Sequence, residues 1–143
     1  MRKVGDVLNR KGNAAVSVLP SQTVIDALRL MADKNIGSVV VKDAAGNFLG
    51  IVTERDYSRK IALHGKSSTE TLVQEIMSID LPGISPHDTI EYCMTLMTEK
   101  NVRYLPVFSA EELTGIISMS DVVKETILAQ QETIDHLKQY ITL

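Results

Sequence analysis

Two short segments carry residues whose types and spacing suit the binding of phosphate and ribose: Gly50-Ile-Val-Thr53-Glu-Arg55-Asp56 and Gly115-Ile-Ile-Ser118-Met-Ser120-Asp121. Each reads as a strand running straight into a helix, with a hydroxyl at the junction and an aspartate three positions later. A helix N-terminus offers unpaired N–H donors and a partial positive charge, which suit a phosphate. The hydroxyls of Thr53 and Ser118 can add a further donor. An aspartate there repels phosphate but can accept hydrogen bonds from both ribose hydroxyls, as an acidic residue does in dinucleotide folds. The same spacing is also a variant of the capping box, in which hydroxyl and carboxylate satisfy free backbone N–H groups. The two readings are compatible, because a cap needs only one carboxylate oxygen. Arg55 sits inside the first motif, and Arg103 opens a strand at the position that Gly37 holds in the other copy. A guanidinium fork matches phosphate oxygens bidentately; the alternative for each is a solvated surface arginine. Arg59, Lys60 and Lys124 are more distal and read as surface cations.

The elements that must position these residues occur twice. Residues 20–56 reappear as 86–121, with identities at Thr23/Thr89, Leu30/Leu96, Met31/Met97, Lys34/Lys100, Asn35/Asn101 and Val41/Val107. After a one-residue deletion in a loop the match resumes at Gly50/Gly115, Ile51/Ile116 and Asp56/Asp121. A repeat this long is one supersecondary unit used twice. In each copy the pattern predicts a short strand (16–18 in the first), then a helix over about 23–34. Its stripe Val24, Ala27, Leu28 and Met31 follows the one-sided helical rule, echoed by Ile90, Cys93, Met94 and Met97. Cys93 therefore stands in the slot of Ala27 and reads as a packed core thiol. Strand pairs follow at 38–41 with 48–53 and at 104–108 with 113–118, each joined by a turn. Asn35 and Asn101 suit a left-handed helix stop. The lead-ins also correspond, Val4-Gly-Asp-Val-Leu8 resembling Val73-Gln-Glu-Ile-Met77. The expected domains are 1–64, 65–126 and a helical extension, 127–143. In that extension Ile127, Ile134 and Ile141 recur every seventh residue, with Leu137 between the last two. They predict either a seam with another subunit or packing on the parent domain.

Composition bounds the function classes. The chain of 143 residues is 44% hydrophobic and 23% charged, the mixture of an ordinary globular domain. No apolar run approaches the roughly 20 residues of a membrane helix, and no signal peptide is expected. One cysteine excludes an internal disulfide and suits a reducing cytoplasm. A net charge of −3 argues against nucleic-acid binding driven by bulk electrostatics.

The doubled pattern resembles the tandem cystathionine-β-synthase (CBS) domain pair, or Bateman module. The matching features are Pro-x-x-Thr opening a helix, Asn35-Ile-Gly-Ser and Asn101-Val-Arg-Tyr-Leu-Pro-Val, then Gly-Ile-Val/Ile-Thr/Ser-x-x-Asp, over about residues 1–126. The resemblance implies an α+β fold of two β-α-β-β-α repeats, packed through their sheets about a pseudo-twofold axis. It also implies two clefts for adenosine derivatives. Asp56 and Asp121 would each hold a ribose, Thr53, Arg55, Ser118 and Ser120 would approach phosphate, and Arg103 would neutralise it. The base would meet Ala14, Val16, Ile36 and Gly37 in the Asp121 cleft, and Ser78, Leu81 and Gly83 in the Asp56 cleft. Because Gly37 stands where the other copy has Arg103, the clefts are expected to be unequal, with Asp121 serving the more highly charged ligand. A stand-alone sensor is implied, a homodimer acting on a separate client protein.

No catalytic constellation is legible. His64, His87 and His136 are far apart, no glycine-rich phosphate loop or zinc motif is present, and each aspartate has its own hydroxyl partner. The expected function is therefore a non-enzymatic regulatory module that binds AMP, ADP, ATP, NAD(H) or S-adenosylmethionine and signals occupancy to its partner. It needs no cofactor or metal for its own integrity. The alternative is a ligand-free structural or dimerisation module.

Overall fold

The computed structural model describes residues 2–12 and 15–141. They fall into two compact units, 15–81 and 2–12 with 82–141. Ala14, expected at the Asp121 cleft, lies outside the described residues.

In the unit 15–81, β1 (Ser17–Val18) runs parallel to β2 (Ser38–Lys42), and β2 pairs antiparallel with β3 (Phe48–Thr53). Helix α2 (Val24–Lys34) starts at Thr23, whose hydroxyl accepts the Asp26 N–H, and stops at Asn35 in the left-handed region at φ 54°. Its face of Val24, Ala27 and Met31 is buried with Val18, Val39, Val41 and Val52. Gly50 marks a close approach: a Cβ there would lie 2.8 Å from the Ser78 carbonyl oxygen, which accepts the neighbouring Ile51 N–H. The short α3 (Glu54–Tyr57) continues into a π-helical turn, Ser58–Ala62. The lead-in helix α4 (Val73–Ile76) belongs to this unit too, joining the core through Val73 and Ile76.

The other unit holds the second copy of the pattern. Helix α5 (Ile90–Lys100) is capped by Thr89 and stops at Asn101, φ 53°. Strands β4 (Tyr104–Ser109) and β5 (Glu112–Ser118) form a two-stranded antiparallel ribbon, and Ile84 bridges to Val107 where β1 lies in the other copy. The deletion shortens this hairpin to a tight turn in which Ala110 and Glu111 both take positive φ, the geometry that matches strand twist. Cys93 is fully buried, and burial pushes its thiol up to about 11, with Asp88 and Glu91 adding to the shift. It is a core side chain, as its slot in the repeat predicts. Helix α6 (Met119–Ile141) closes the chain.

The compact units exchange the lead-ins of the expected repeats 1–64 and 65–126. Helix α1 (Val4–Lys11) is part of the unit built on the second copy, with Val4 N–H on Asp88 O at 2.9 Å and Gly5 N–H on Pro86 O at 2.9 Å. Its apolar face of Val4, Val7 and Leu8 is buried with Ile84, Ile90, Leu105 and Ile117. Conversely, 65–81 is part of the unit built on the first copy. Each lead-in thus completes the other repeat's core. The reason is that a helix of 8 residues is too short to stand in water, and the apolar stripe fixes only that it must be covered, not by which sheet. The extension from 127 continues the closing helix of the second repeat, α6 running unbroken from Met119 to Ile141.

Candidate functional site

The two motifs form equivalent corners, one in each unit. At the first, β3 ends at Thr53 and α3 begins. The Thr53 N–H donates to Asp56 Oδ2 at 2.9 Å, and the Thr53 hydroxyl accepts the Asp56 N–H at 3.0 Å while donating to Oδ2 at 3.1 Å. At the second, the Ser118 N–H donates to Asp121 Oδ2 at 2.8 Å and the Ser118 hydroxyl accepts the Asp121 N–H at 3.1 Å. Both reciprocal caps are therefore present as the spacing predicts. The backbone also lines up: Glu54 N–H reaches Gly37 O at 3.1 Å, and Met119 N–H reaches Arg103 O at 2.8 Å. Gly37 borders the Asp56 corner and Arg103 the Asp121 corner, so only the latter has an arginine at that position, and its side chain is exposed.

The carboxylates differ in what else holds them. Asp56 Oδ1 accepts Ser78 Oγ at 2.9 Å and pairs with Lys60 Nζ at 3.0 Å, and Lys60 also reaches Ile76 O at 2.7 Å. With both oxygens engaged and its side chain 9% exposed, Asp56 is enclosed. Asp56 is a polar anchor shared by the short α3 and the Ser78 segment, so a ribose diol there would compete with Ser78 and Lys60. Lys60, read from the sequence as a surface cation, is part of that anchor.

Asp121 is more open, its side chain 20% exposed. Lys11 Nζ donates to its Oδ2 at 2.7 Å and to Ile116 O at 3.0 Å. Burial opposes ionisation of Asp121, but the Lys11 ammonium and the Ser118 N–H outweigh it and hold the carboxyl below the usual aspartate range. The ionised group therefore stabilises the fold above that ordinary range, and the contribution fades as pH falls through the lowered value.

The remaining expected residues divide by unit. Arg55 lies on the first turn of α3, half-buried, and Ser78 sits at Asp56 itself. Val16, Ile36 and Leu81 belong to the Asp56 unit, half-buried; Val16 O accepts Val40 N–H at 2.9 Å and Ile36 N–H reaches Met31 O at 2.9 Å. Ser120 is exposed on the first turn of α6, and Gly83 is exposed in the same unit, against the Phe108 ring. Lys11 was not legible, since nothing local ties it to a carboxylate 110 residues away. Glu125 was missed as well: fully buried on α6, it pairs with Arg2 at 3.1 Å and with Arg10. Its place in a helical row with Val122 was the available signal. Among the described residues no cluster of three His, Cys, Asp or Glu side chains is placed to hold a metal, and no helix is long and apolar enough to cross a membrane.

Comparison with known proteins agrees with the doubled corners. The sequence profile of the CBS domain matches twice, over residues 4–63 and 73–127. The mitochondrial CBS domain-containing protein CBSX3 of Arabidopsis thaliana is 36% identical over 96% of this chain and 71% of its own length. A CBS-domain protein of Burkholderia ambifaria, described as a candidate for signal transduction, superposes with TM-score 0.84 at 40% identity, covering 90% of this chain and 96% of its own. A hexameric CBS-CP12 protein from bloom-forming cyanobacteria gives TM-score 0.75 at 30% identity, over 86% and 70%. Two profile matches that together span most of the sequence, on two units with the same strand-to-helix corner, place this chain in the CBS domain family as a CBS domain pair.

Proposed function

We propose that this CBS pair is a non-enzymatic regulatory module that binds an adenine nucleotide (AMP, ADP, ATP, NAD(H) or S-adenosylmethionine), chiefly at the Asp121 corner, and reports occupancy to a partner protein. The observation that carries the reading is the Asp121 corner itself: a partly exposed, ionised carboxylate beside a hydroxyl at the start of a 23-residue helix, bordered by an exposed Arg103. Aspartate suits the ribose diol, while Ser118, Ser120, Arg103 and the helix N-terminus suit phosphate. Thr53, Arg55 and Asp56 offer a weaker second corner, since a ligand there must first break the bonds from Ser78 and Lys60. A ligand shifts such a module only as far as it prefers one conformation over another. The single, buried thiol favours a reducing compartment, the cytoplasm first. Titration calorimetry with AMP, ATP and NADH is the direct test: saturable binding below millimolar is expected, and heats of dilution alone at millimolar ligand would remove the proposal.

The far half of α6 supports homo-oligomerisation alongside ligand binding. Ile127, Ile134, Leu137 and Ile141 are exposed on one side at heptad spacing, flanked by Thr126, Gln131 and Thr133. A second copy of the same helix is the simplest cover for such a stripe, and the hexameric relative shows that oligomers occur among similar chains. Light scattering of the double variant Ile134→Asp, Leu137→Asp is expected to give a monomer mass where the parent gives a multiple of it. An unchanged oligomer would exclude this seam.

A further inference from the structure

We propose that Lys11 is a displaceable cation that makes the Asp121 corner select phosphorylated over unphosphorylated nucleosides. This rests on the reading of Asp121 as the ribose acceptor. Lys11 occupies the last turn of α1, and the chain leaves the helix at Gly12, φ 93°. Its ammonium spans two acceptors of the corner, Asp121 Oδ2 at 2.7 Å and Ile116 O at 3.0 Å. Oδ2 also takes the Ser118 N–H at 2.8 Å. A ribose diol that is to use both carboxylate oxygens must therefore compete with the ammonium.

The competition has different consequences for different ligands. A neutral nucleoside displaces the ammonium and offers it nothing in return. A phosphorylated one brings its anion to the α6 N-terminus, within the sweep of a four-carbon side chain that is already 38% exposed. The ammonium then exchanges one anionic partner for another. The second corner carries the same device in another form, since Lys60 pairs with Asp56 and with Ile76 O. There the cation is tied four residues along the same turn, whereas Lys11 arrives from a separate helix and is free to leave without unwinding the corner.

The test is the ratio of adenosine to AMP dissociation constants for the parent protein and for Lys11→Met, which keeps the stem and removes the charge. Removing a partly exposed ion pair changes a constant by up to about fivefold. The variant is expected to bind adenosine more tightly and AMP no better, so the ratio falls about two- to fivefold. A second readout needs no ligand: the carboxyl 13C titration midpoint of Asp121 should rise in the variant. An unchanged ratio with both proteins binding AMP, or an unmoved Asp121 midpoint, would overturn the role of Lys11 and leave the nucleotide reading standing. Absence of binding in both proteins would remove the nucleotide reading and this inference with it.

Discussion

Replacing Glu125 with alanine is expected to destabilise the unit 2–12/82–141 by about 3 kcal/mol, the low end of the cost of breaking a buried ion pair from one side. Glu125 is fully buried, and its two carboxylate oxygens are held by Arg2, just before α1, and by Arg10 in its last turn. Alanine would leave both guanidiniums without their shared anion and open a void beneath α6. The low end applies because the arginine side chains remain 27% and 37% exposed and can be partly rehydrated. The loss is large against the roughly 5–15 kcal/mol that holds a domain together. It should also release α1, which is too short to persist alone, so amides of Val4, Val7 and Leu8 should lose hydrogen-exchange protection first. Glu125→Gln keeps the shape and one acceptor oxygen, while its amide NH2 cannot accept from the second guanidinium; it should cost less than alanine, about 1–2 kcal/mol. Urea unfolding measures both. A change below about 0.5 kcal/mol for the alanine variant would mean that the clasp does not hold the lead-in.

The second large effect is on binding. Asp121→Ala is expected to weaken AMP at least tenfold. Two hydrogen bonds to a charged acceptor contribute about 1.5–3 kcal/mol each, and part of that is offset because the variant also frees Lys11. A net loss of about 1.4 kcal/mol is already tenfold. The variant also loses a helix cap, which costs about 1 kcal/mol of stability, too little to unfold it. Asp121→Asn, which keeps the shape, separates the two effects: it should fold like the parent and still bind poorly. Calorimetric constants for AMP that match the parent in both variants would remove Asp121 from the site.

Much of this was legible because the same local solution is written twice. Asn35 and Asn101 at the helix stops, Thr23 and Thr89 at the helix starts, and the Thr53/Asp56 and Ser118/Asp121 pairs all act within a few residues of themselves, and all were found where the spacing puts them. The failures share a different property. Lys11 with Asp121, and Arg2 and Arg10 with Glu125, join residues far apart in the chain, whereas Ser78 was placed beside Asp56 only through the family resemblance and is found bonded to it. Residue type announces that each will need a partner but not which one. The exchange of lead-ins has the same cause: Val4, Val7 and Leu8 on one side, and Val73 and Ile76 on the other, are near-equivalent apolar faces. Hydrophobic periodicity gives no means of assigning them to a core. The corners differ at the position that Gly37 holds in one copy and Arg103 in the other, which the repeat alignment made visible. The enclosure of Asp56 by Ser78 and Lys60 adds to that difference.

The central claim, that the Asp121 corner receives an adenine nucleotide, is tested most directly by mapping amide shifts of 15N-labelled protein during titration with AMP. Saturable shifts that include the amides of Ser118 and Asp121, and that disappear in Asp121→Asn, are predicted. Saturating AMP that leaves those amides in place, whether it moves others or none, would contradict the account.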